Sequence, residues 1–362
     1  MQVQPPFLLL FTLFNAVVFG FEAVNQARDF VLTIQSVVIV DKSGNGNFQT
    51  VQAAIDSVPP NNNHWIKIQI NPGVYKEKVT IPLEKPFIYL EGADSSNTVI
   101  TFDDHQQTDT SATFTSRPPN IIVRGITFEV LWLLKTDFIF IALFEILKLC
   151  KNSFNLREAP ELFSCDDGTY ITQAIAARIY GDKSAFFNCG FKGYQDTLWD
   201  VQGRHFFSHC YIEGAIDFIF GSGQSVYEDC MINVNVASLP QVYQGYITAQ
   251  SRQSAADPSG FVFKECTIKG SGKALLGRAY GPFSRVIFKD AIMGSVVAPE
   301  GWYAWHFKGK EENFMYVEEN CTGPGASTSM RVPWAKTLDA SHLTGFSVES
   351  FINQDGWIPT VL

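Results

Sequence analysis

The sequence predicts an all-β protein that folds as a parallel β-helix, a solenoid of short stacked strands. Of its 362 residues 31 are Phe and 27 are Gly, a composition that favours short strands and tight turns over long helices. The second observation is a repeat in which an apolar strand ends just before a Cys, at Cys189, Cys210 and Cys230. Strand–turn units that recur about every twenty residues are typical of coils that bury their inner faces against one another.

Size and charge exclude other classes of protein. The apolar content of 46% excludes a disordered chain, and 362 residues allow one or two domains. The formal net charge of −9 argues against a nucleic-acid partner, because Lys and Arg supply most of the affinity for phosphates. No Cys or His cluster has metal-ligand spacing, so we expect no metal site and no cofactor. His205 and His209 lie four residues apart, but a strand–turn unit does not place them on one face, and we expect structural roles for both.

The first residues of the chain resemble a targeting signal. Residues 7–21 are apolar and uncharged, a run long enough for a signal-peptide core but short for a membrane span. We therefore predict a signal peptide at residues 1–23 and a secreted protein that has no membrane contact after its removal. An uncleaved anchor or an internal core strand is the alternative. Export would make Asn320, in the sequon Asn320-Cys321-Thr322, a glycosylation candidate.

A short helix is expected at residues 50–57. The apolar residues Val51, Ala54, Ile55 and Val58 recur there at helical spacing. Because the open end of a solenoid exposes its core, we expect this helix to cap the N-terminal coil.

The Cys repeat runs along most of the chain. Six copies are recognisable, and the residues at the Cys position are Cys189, Cys210, Cys230, Cys266, Ala291 and Gly125. We interpret these cysteines as small buried residues stacked in a ladder, with disulfides as the alternative. The seven Cys of the chain are an odd number, so at least one thiol stays unpaired.

The repeat also places two carboxylates at equivalent positions. Asp196 and Asp217 each follow a repeat Cys by seven residues. Equivalent positions on stacked coils are neighbours about 5 Å apart, the spacing of adjacent strands. Two negative charges that close raise one pKa, which gives one acid and one base. A ladder of turn residues that bind backbone amides is the alternative interpretation of the pair.

Six motifs identify a family. They are GVYKE at residues 73–77, QAIAARI at 173–179, GYQDTL at 193–198, DFIFG at 217–221, LGRAYG at 276–281 and PEGWYAW at 299–305. In this order and spacing the sequence resembles the plant pectin methylesterases, or pectinesterases, which are right-handed parallel β-helix enzymes. The resemblance implies one pectinesterase domain at residues 38–362. It is similar to the short form of the family, which lacks the inhibitor-like pro-region.

The resemblance implies roles for the polar residues of these motifs. Asp217 would be the nucleophile, and Asp196 would be the proton donor and then the base. Arg278 would hold Asp217 ionised, because a guanidinium offers a fork of donors and stays charged. Gln195 and Gln173 would donate amide hydrogens to the oxyanion. Hydrogen bonding to a neighbouring strand is the alternative role for each Gln.

The implied substrate-binding residues are Gln173, Arg278, Tyr280, Trp302 and Thr108. Tyr280 and Trp302 would stack on sugar faces, and Thr108, or its neighbour Thr110, would touch the uronate through its hydroxyl. Members of the family usually have Trp where Tyr280 stands, so the stacking face is smaller here.

The implied reaction removes methyl esters from homogalacturonan, giving methanol and pectate in the extracellular space and the cell wall. Methyl-esterified homogalacturonan is thus the expected partner, and a proteinaceous pectinesterase inhibitor is a candidate second partner. We expect the chain to be a monomer. A β-helix pectate lyase or polygalacturonase is the enzymatic alternative. A pectate lyase would need a Ca²⁺-binding acidic cluster, and a polygalacturonase would need several Asp around a sugar oxygen. These motifs match either pattern less well.

One stretch departs from the family pattern. Residues 130–150 look inserted, since joining Glu129 to Lys151 restores the family's run. Four charged residues interrupt the stretch and argue against a membrane span. Our preferred hypothesis is a translated retained intron, because the insert begins with Val, whose codon starts with GT; a helix packed on the coils is the alternative. If the insert is real, the alternative function is a non-catalytic or defective pectin-binding β-helix.

Overall fold

The computed structural model describes residues 31–104, 108, 110–130, 173–239, 242–338 and 341–360. The predicted signal peptide at residues 1–23 lies outside these ranges, as does the predicted insert except for its first residue, Val130. Within them the chain forms three parallel sheets, and each full turn of the chain adds one strand to every sheet. This arrangement confirms the all-β parallel β-helix.

The first sheet has ten strands. They are β1 (Ile34–Val40), β2 (Trp65–Ile70), β5 (Ile88–Gly92), β8 (Ile121–Arg124), β11 (Ser184–Phe187), β14 (Arg204–Ser208), β17 (Gln224–Glu228), β20 (Gly260–Lys264), β23 (Arg285–Lys289) and β26 (Met315–Glu319).

The second sheet has eight strands. They are β3 (Gly73–Lys76), β6 (Thr98–Phe102), β9 (Thr127–Val130), β12 (Gly190–Lys192), β15 (Tyr211–Gly214), β18 (Met231–Asn235), β21 (Thr267–Ser271) and β24 (Ile292–Met293).

The third sheet also has eight strands. They are β4 (Val79–Ile81), β7 (Phe114–Ser116), β10 (Ala177–Ile179), β13 (Leu198–Asp200), β16 (Ile216–Gly221), β19 (Gly245–Gln250), β22 (Ala274–Arg278) and β25 (Trp302–Tyr303).

Helix α1 (Val51–Ser57) lies against β1, β2 and β4, the strands of the first coils, as predicted for a capping helix. Thr50 is its N-cap, and the Thr50 hydroxyl accepts a hydrogen bond from Ala53 N at 3.2 Å. The carboxylate of Glu77 accepts from Val51 N and Gln52 N, both at 2.9 Å, so two more free amides of the first turn have partners. Val51, Ala54 and Ile55 are buried against the coils.

A row of stacked aromatic rings runs through the core. Neighbouring centroids lie 4.5 to 5.0 Å apart with nearly parallel planes along the row Phe186, Phe207, Tyr227, Phe263 and Phe288. Each ring belongs to the next strand of the first sheet, so every coil buries its ring against the preceding coil.

The cysteines that the structure describes form the predicted buried ladder. Cys189, Cys210, Cys230 and Cys266 are free thiols at most 1% exposed, and Cys321 continues the row half-buried. The residue before each of them has a positive φ of 51° to 56°, and its polar side chain tolerates that conformation.

One position of the repeat needs correction. Arg124 pairs with Phe187, so Gly125 is equivalent to Asn188, and Ile126 rather than Gly125 stands at the Cys position. Gly125 takes the left-handed turn conformation, with φ of 64°.

Short helical elements follow the last strands of the solenoid. Three 3₁₀ turns lie at Trp305–Phe307, Glu311–Asn313 and Thr344–Phe346, and helix α2 lies at Val348–Phe351. The C-terminal segment packs Phe351 and Trp357 onto apolar side chains of the first sheet, such as Phe206. None of the described helices is long and apolar enough to cross a bilayer.

Candidate active site

Two buried aspartates lie side by side on the third sheet. Strand β13 pairs with β16 so that Leu198 faces Ile219, and an isolated bridge joins Gln195 to Ile216. The same register sets Asp196 beside Asp217, and Asp196 N donates to Ile216 O at 3.1 Å. The structure therefore brings together the two carboxylates that the repeat spacing predicts as neighbours.

The backbone departs from regular strand geometry at both aspartates, and this changes the direction of their side chains. Asp196 has a φ of 61° and Asp217 a φ of 49°, in the left-handed region that few residues other than Gly adopt. The pairing of β16 with β19 also shifts register between Ile216 and Ile219. Such irregularities re-aim a side chain relative to a regular strand. The aspartates are nevertheless only 5% and 4% exposed, so their carboxylates lie in a largely dry site.

Arg278, the last residue of β22, forms an ion pair with Asp217 across the intervening strand β19. Its Nε donates to Asp217 Oδ1 at 2.8 Å, and its Nη2 donates to Oδ2. Two parallel hydrogen bonds fix the carboxylate plane as well as its charge. Two aromatic rings flank the guanidinium: Arg278 Cζ lies 4.4 Å from the centroid of Tyr246 and 4.2 Å from that of Trp305.

The surroundings of the two carboxyl groups affect their pKa values differently. Burial, together with the negative charge of Asp217, raises the pKa of Asp196 to about 8, against an opposing effect of Arg278. Burial also raises the pKa of Asp217, but the hydrogen bonds and the positive charge of Arg278 act against that rise. Asp196 therefore retains its proton near neutral pH, and Asp217 is the member of the pair that Arg278 stabilises as a carboxylate. This arrangement can supply an acid and a nucleophile at the same site.

The predicted amide and hydroxyl groups lie on the adjoining coils. Gln195 directly precedes Asp196 and is half-buried, with no side-chain hydrogen bond to any described residue. Ala174 N donates to Gln195 O at 3.2 Å, which puts Gln173 on the preceding coil, beside Gln195. The exposed Gln173 accepts a hydrogen bond from the Thr108 hydroxyl through Oε1, leaving its amide nitrogen as the group able to donate to a ligand.

The two predicted stacking residues behave differently. Tyr280 is 49% exposed, and its ring centroid lies 5.3 Å from that of Trp305. Trp302 is only 1% exposed: its ring stacks on Tyr316 at 4.4 Å, and its Nε1 donates to Glu318 at 3.0 Å. The expectation that Trp302 stacks on a sugar is therefore wrong, because both ring faces lie in the core. In the motif PEGWYAW, Trp305 is the tryptophan that reaches the site.

Two aromatic residues on the strands of the aspartates were not predicted. Trp199 and Phe220 lie three residues after Asp196 and Asp217, and their rings stack with centroids 5.2 Å apart. The guanidinium of Arg178 lies 4.2 Å from the Trp199 centroid. Because residues three after the aspartates share one register row, the repeat itself could have revealed this surface.

His205 and His209 have structural surroundings. His205 is fully buried, with Nδ1 at 2.5 Å from Asp200 and Nε2 at 3.0 Å from Gly181 O, whereas His209 pairs with Asp229 at the surface. Within the described ranges, no group of three or more His, Cys, Asp or Glu side chains could hold a metal ion.

Comparison with known proteins identifies the family. The family model described as Pectinesterase matches residues 37–131 and 159–355. The chain belongs to the pectinesterase family. It is 45% identical over 321 residues to probable pectinesterase 55 of Arabidopsis thaliana, an alignment that covers 89% of each chain. It is also 44% identical over 324 residues to probable pectinesterase 29 of the same plant, covering 90% of this chain and 89% of that one.

A solved pectinesterase structure agrees with the fold. The structure of pectin methylesterase from carrot superposes with a TM-score of 0.76 at 27% identity, covering 92% of this chain and 99% of that one. The chain is accordingly a carboxylic ester hydrolase of the pectinesterase type. The residues between the two matched ranges, 132–158, overlap the stretch 130–150. That the stretch is an insert stays a prediction.

Proposed function

We propose that this pectinesterase hydrolyses the C6 methyl esters of homogalacturonan, with Asp217 as nucleophile and Asp196 as acid and base. The observation that carries the proposal is the buried pair itself. Arg278 binds Asp217 through two hydrogen bonds, while Asp196, beside it, has a pKa raised to about 8, chiefly by burial. The pair thus supplies an ionised carboxylate and a protonated one at neutral pH.

The first half of the reaction forms an acyl-enzyme. An Asp217 carboxylate oxygen attacks the C6 carbonyl carbon, and the carbonyl electron pair moves onto its oxygen. Amide hydrogens of Gln195 and Gln173 stabilise this oxyanion, and each such donor is worth about 3 kcal/mol in the transition state. When the carbonyl re-forms, the bond from C6 to the methoxy oxygen breaks. That oxygen takes the proton of Asp196 and leaves as methanol, and an anhydride joins C6 to Asp217.

The second half returns the enzyme to its starting state. Asp196, now a carboxylate, takes a proton from a water molecule as the water oxygen attacks C6. The anhydride bond breaks, its electron pair returns to Asp217, and the uronic acid leaves and loses its proton to solvent. One ester and one water give one carboxylic acid and one methanol, and Asp196 is protonated for the next cycle.

The substrate would lie along the outer face of the third sheet. Tyr280, two residues after Arg278, offers a half-exposed ring, whereas Trp199 lies between Arg178 and Phe220 and has no free face. A half-exposed ring can stack on the apolar face of a sugar. Thr108, through its hydrogen bond to Gln173, would orient that amide toward the uronate. The carrot relative, named a pectin methylesterase, supports a methyl-esterified pectin as substrate.

The proposal includes the place of action. The uncharged apolar run at residues 7–21 supports export, and the exposed Asn320 of the sequon is compatible with passage through the secretory pathway. We propose that the enzyme acts in the cell wall as a monomer and modifies pectin there. A proteinaceous pectinesterase inhibitor would be able to bind it.

Methanol release from highly methylated pectin by the purified protein tests the function. Wild type and the surface control Asp229→Asn should release methanol, and Asp217→Asn should not. Undiminished release by Asp217→Asn would falsify the nucleophile assignment. Preparing the chain with and without residues 130–150 tests the defective alternative: release only by the shorter form would assign the loss to that stretch. No release by either form would refute the proposed function.

A further inference from the structure

The guanidinium of Arg278 is held by aromatic rings as well as by Asp217. Its Cζ lies 4.4 Å from the ring centroid of Tyr246 and 4.2 Å from that of Trp305. We propose that Tyr246 and Trp305 form an aromatic clamp that positions Arg278, and through it the nucleophilic carboxylate of Asp217. The proposal rests on the function proposed above and adds to it two positioning residues that touch neither the ester nor Asp217.

Arg278 needs such a support because a guanidinium can orient a carboxylate only if the guanidinium is itself held in place. In the part of the chain that the structure describes, Asp217 is the only hydrogen-bond partner of its side chain. An arginine side chain has several rotatable bonds and loses about 2 kcal/mol of conformational free energy when it is immobilised. Rings packed on the guanidinium restrict those rotations before substrate arrives, so the carboxylate is already oriented for attack.

Tyr246 is well placed for this role. It lies on β19, the strand between β16 and β22, where it pairs with Ile216 on one side and Leu275 on the other. Its backbone position is thus set by the two strands that carry Asp217 and Arg278. Its ring in turn packs on Tyr303, with centroids 6.2 Å apart and planes 28° apart. The clamp is therefore supported from behind by a second ring.

The rings also change the electrostatics of the ion pair. An arginine over an aromatic face is attracted by the ring quadrupole, and more strongly when water is excluded. Removal of water lowers the local dielectric constant, so the positive charge acts more strongly on Asp217. Burial raises the pKa of Tyr246, so its phenol stays neutral and adds no competing charge. Loss of the ring should weaken the hold of Arg278 on the ionised form of Asp217.

The test compares Tyr246→Leu, Tyr246→Phe and Tyr303→Leu with wild type in the methanol-release assay, over a range of substrate concentrations and pH. Tyr303 packs behind the Tyr246 ring but is not among the rings over the guanidinium, so Tyr303→Leu leaves both clamp rings in place and should lose less kcat than Tyr246→Leu. For Tyr246→Leu we expect kcat to fall about tenfold with KM changed less than about twofold, the size of one cation–aromatic contact. The acid limb of its kcat/KM profile should move to higher pH, because Asp217 is held less firmly as a carboxylate. Tyr246→Phe keeps the ring and should retain wild-type kcat.

Each outcome bears on the clamp. Wild-type kcat and pH profile in Tyr246→Leu would overturn it while leaving the proposed function intact, and so would an equal loss in Tyr246→Phe or Tyr303→Leu. If Tyr246→Leu fails to fold by circular dichroism, Trp305→Leu, which removes the other ring, decides by the same loss of kcat and shift of the acid limb. Absence of methanol release by wild type is a separate result that refutes the proposed function itself.

Discussion

Replacing Asp196 by Asn should stabilise the protein in a pH-dependent way while removing its activity. Asp196 is only 5% exposed and lies beside Asp217, so ionising its carboxyl group in the folded state is costly. Asn has nearly the same shape and cannot ionise. The folded variant therefore avoids a charge that the wild type must carry at high pH.

The magnitude follows from the pKa of Asp196, which rises from 3.8 to about 8 in the fold, chiefly through burial. Between these two values the folded state binds more protons than the unfolded state, so the free energy of unfolding falls as pH rises. The fall is at most about 1.4 kcal/mol per pH unit. Near pH 4 the two proteins should thus be about equally stable. By pH 8 the variant should lead by several kcal/mol, with ~5 kcal/mol as the upper bound.

Urea unfolding of both proteins at about pH 4, 6 and 8 measures this difference across the window between the two pKa values. Asp229→Asn is the matched control, because Asp229 has a similar positive φ of 51° but an exposed side chain. A pH-independent difference between Asp196→Asn and wild type would refute the reasoning. Greater stability of the wild type at pH 8 would do so too.

Four further outcomes are expected. The kcat/KM of wild type should fall as pH rises above about 8, because Asp196 then loses the proton that methanol needs to leave; activity that persists unchanged two units higher contradicts this. Tyr280→Ala should raise KM by up to about tenfold with stability almost unchanged, whereas Trp302→Ala should lower the free energy of unfolding by about 3 to 5 kcal/mol, as steady-state kinetics and urea melts would report. Protein secreted by a eukaryotic host should shift on gels after treatment with an N-glycan-releasing enzyme, and Asn320→Gln should remove that shift. With a net charge of −9 the protein should bind de-esterified pectate weakly in low salt, so tight, salt-sensitive retention on a pectate column would count against us.

The sequence predicts those parts of the site that repeat with the coil. The offset between Asp196 and Asp217 equals the register of β13 on β16. The number of residues between the two aspartates therefore predicts that they are neighbours in the structure. Helix α1 is predictable for a similar reason, since its buried residues follow a helical period.

The residues that sequence reasoning missed lack such a period. Tyr246 belongs to none of the six motifs, and it meets Arg278, 32 residues later, only through the pairing of β19 with β22. Trp302 and Trp305 were confused because β25 is two residues long and is followed by a turn in which Trp305 takes a φ of 48°. Simple alternation cannot be extended through such a turn. The error at Gly125 has another origin: the repeat was aligned by its small residue, but Gly125 occupies the left-handed turn position that Asn188 takes in the next coil.

The spread of the site over neighbouring strands makes activity a property of the stack and not of any single coil. Asp196, Asp217 and Arg278 come from three turns of the solenoid, with Tyr246 on a fourth turn between the last two. In a molecule whose units contact only their neighbours, fraying from one end removes turns in sequence. Fraying from the C-terminal end would detach β25 first and β22 next, parting Arg278 from Asp217 while most of the strands remain paired. On heating, enzymatic activity should therefore be lost at a lower temperature than the one at which circular dichroism detects loss of β-structure.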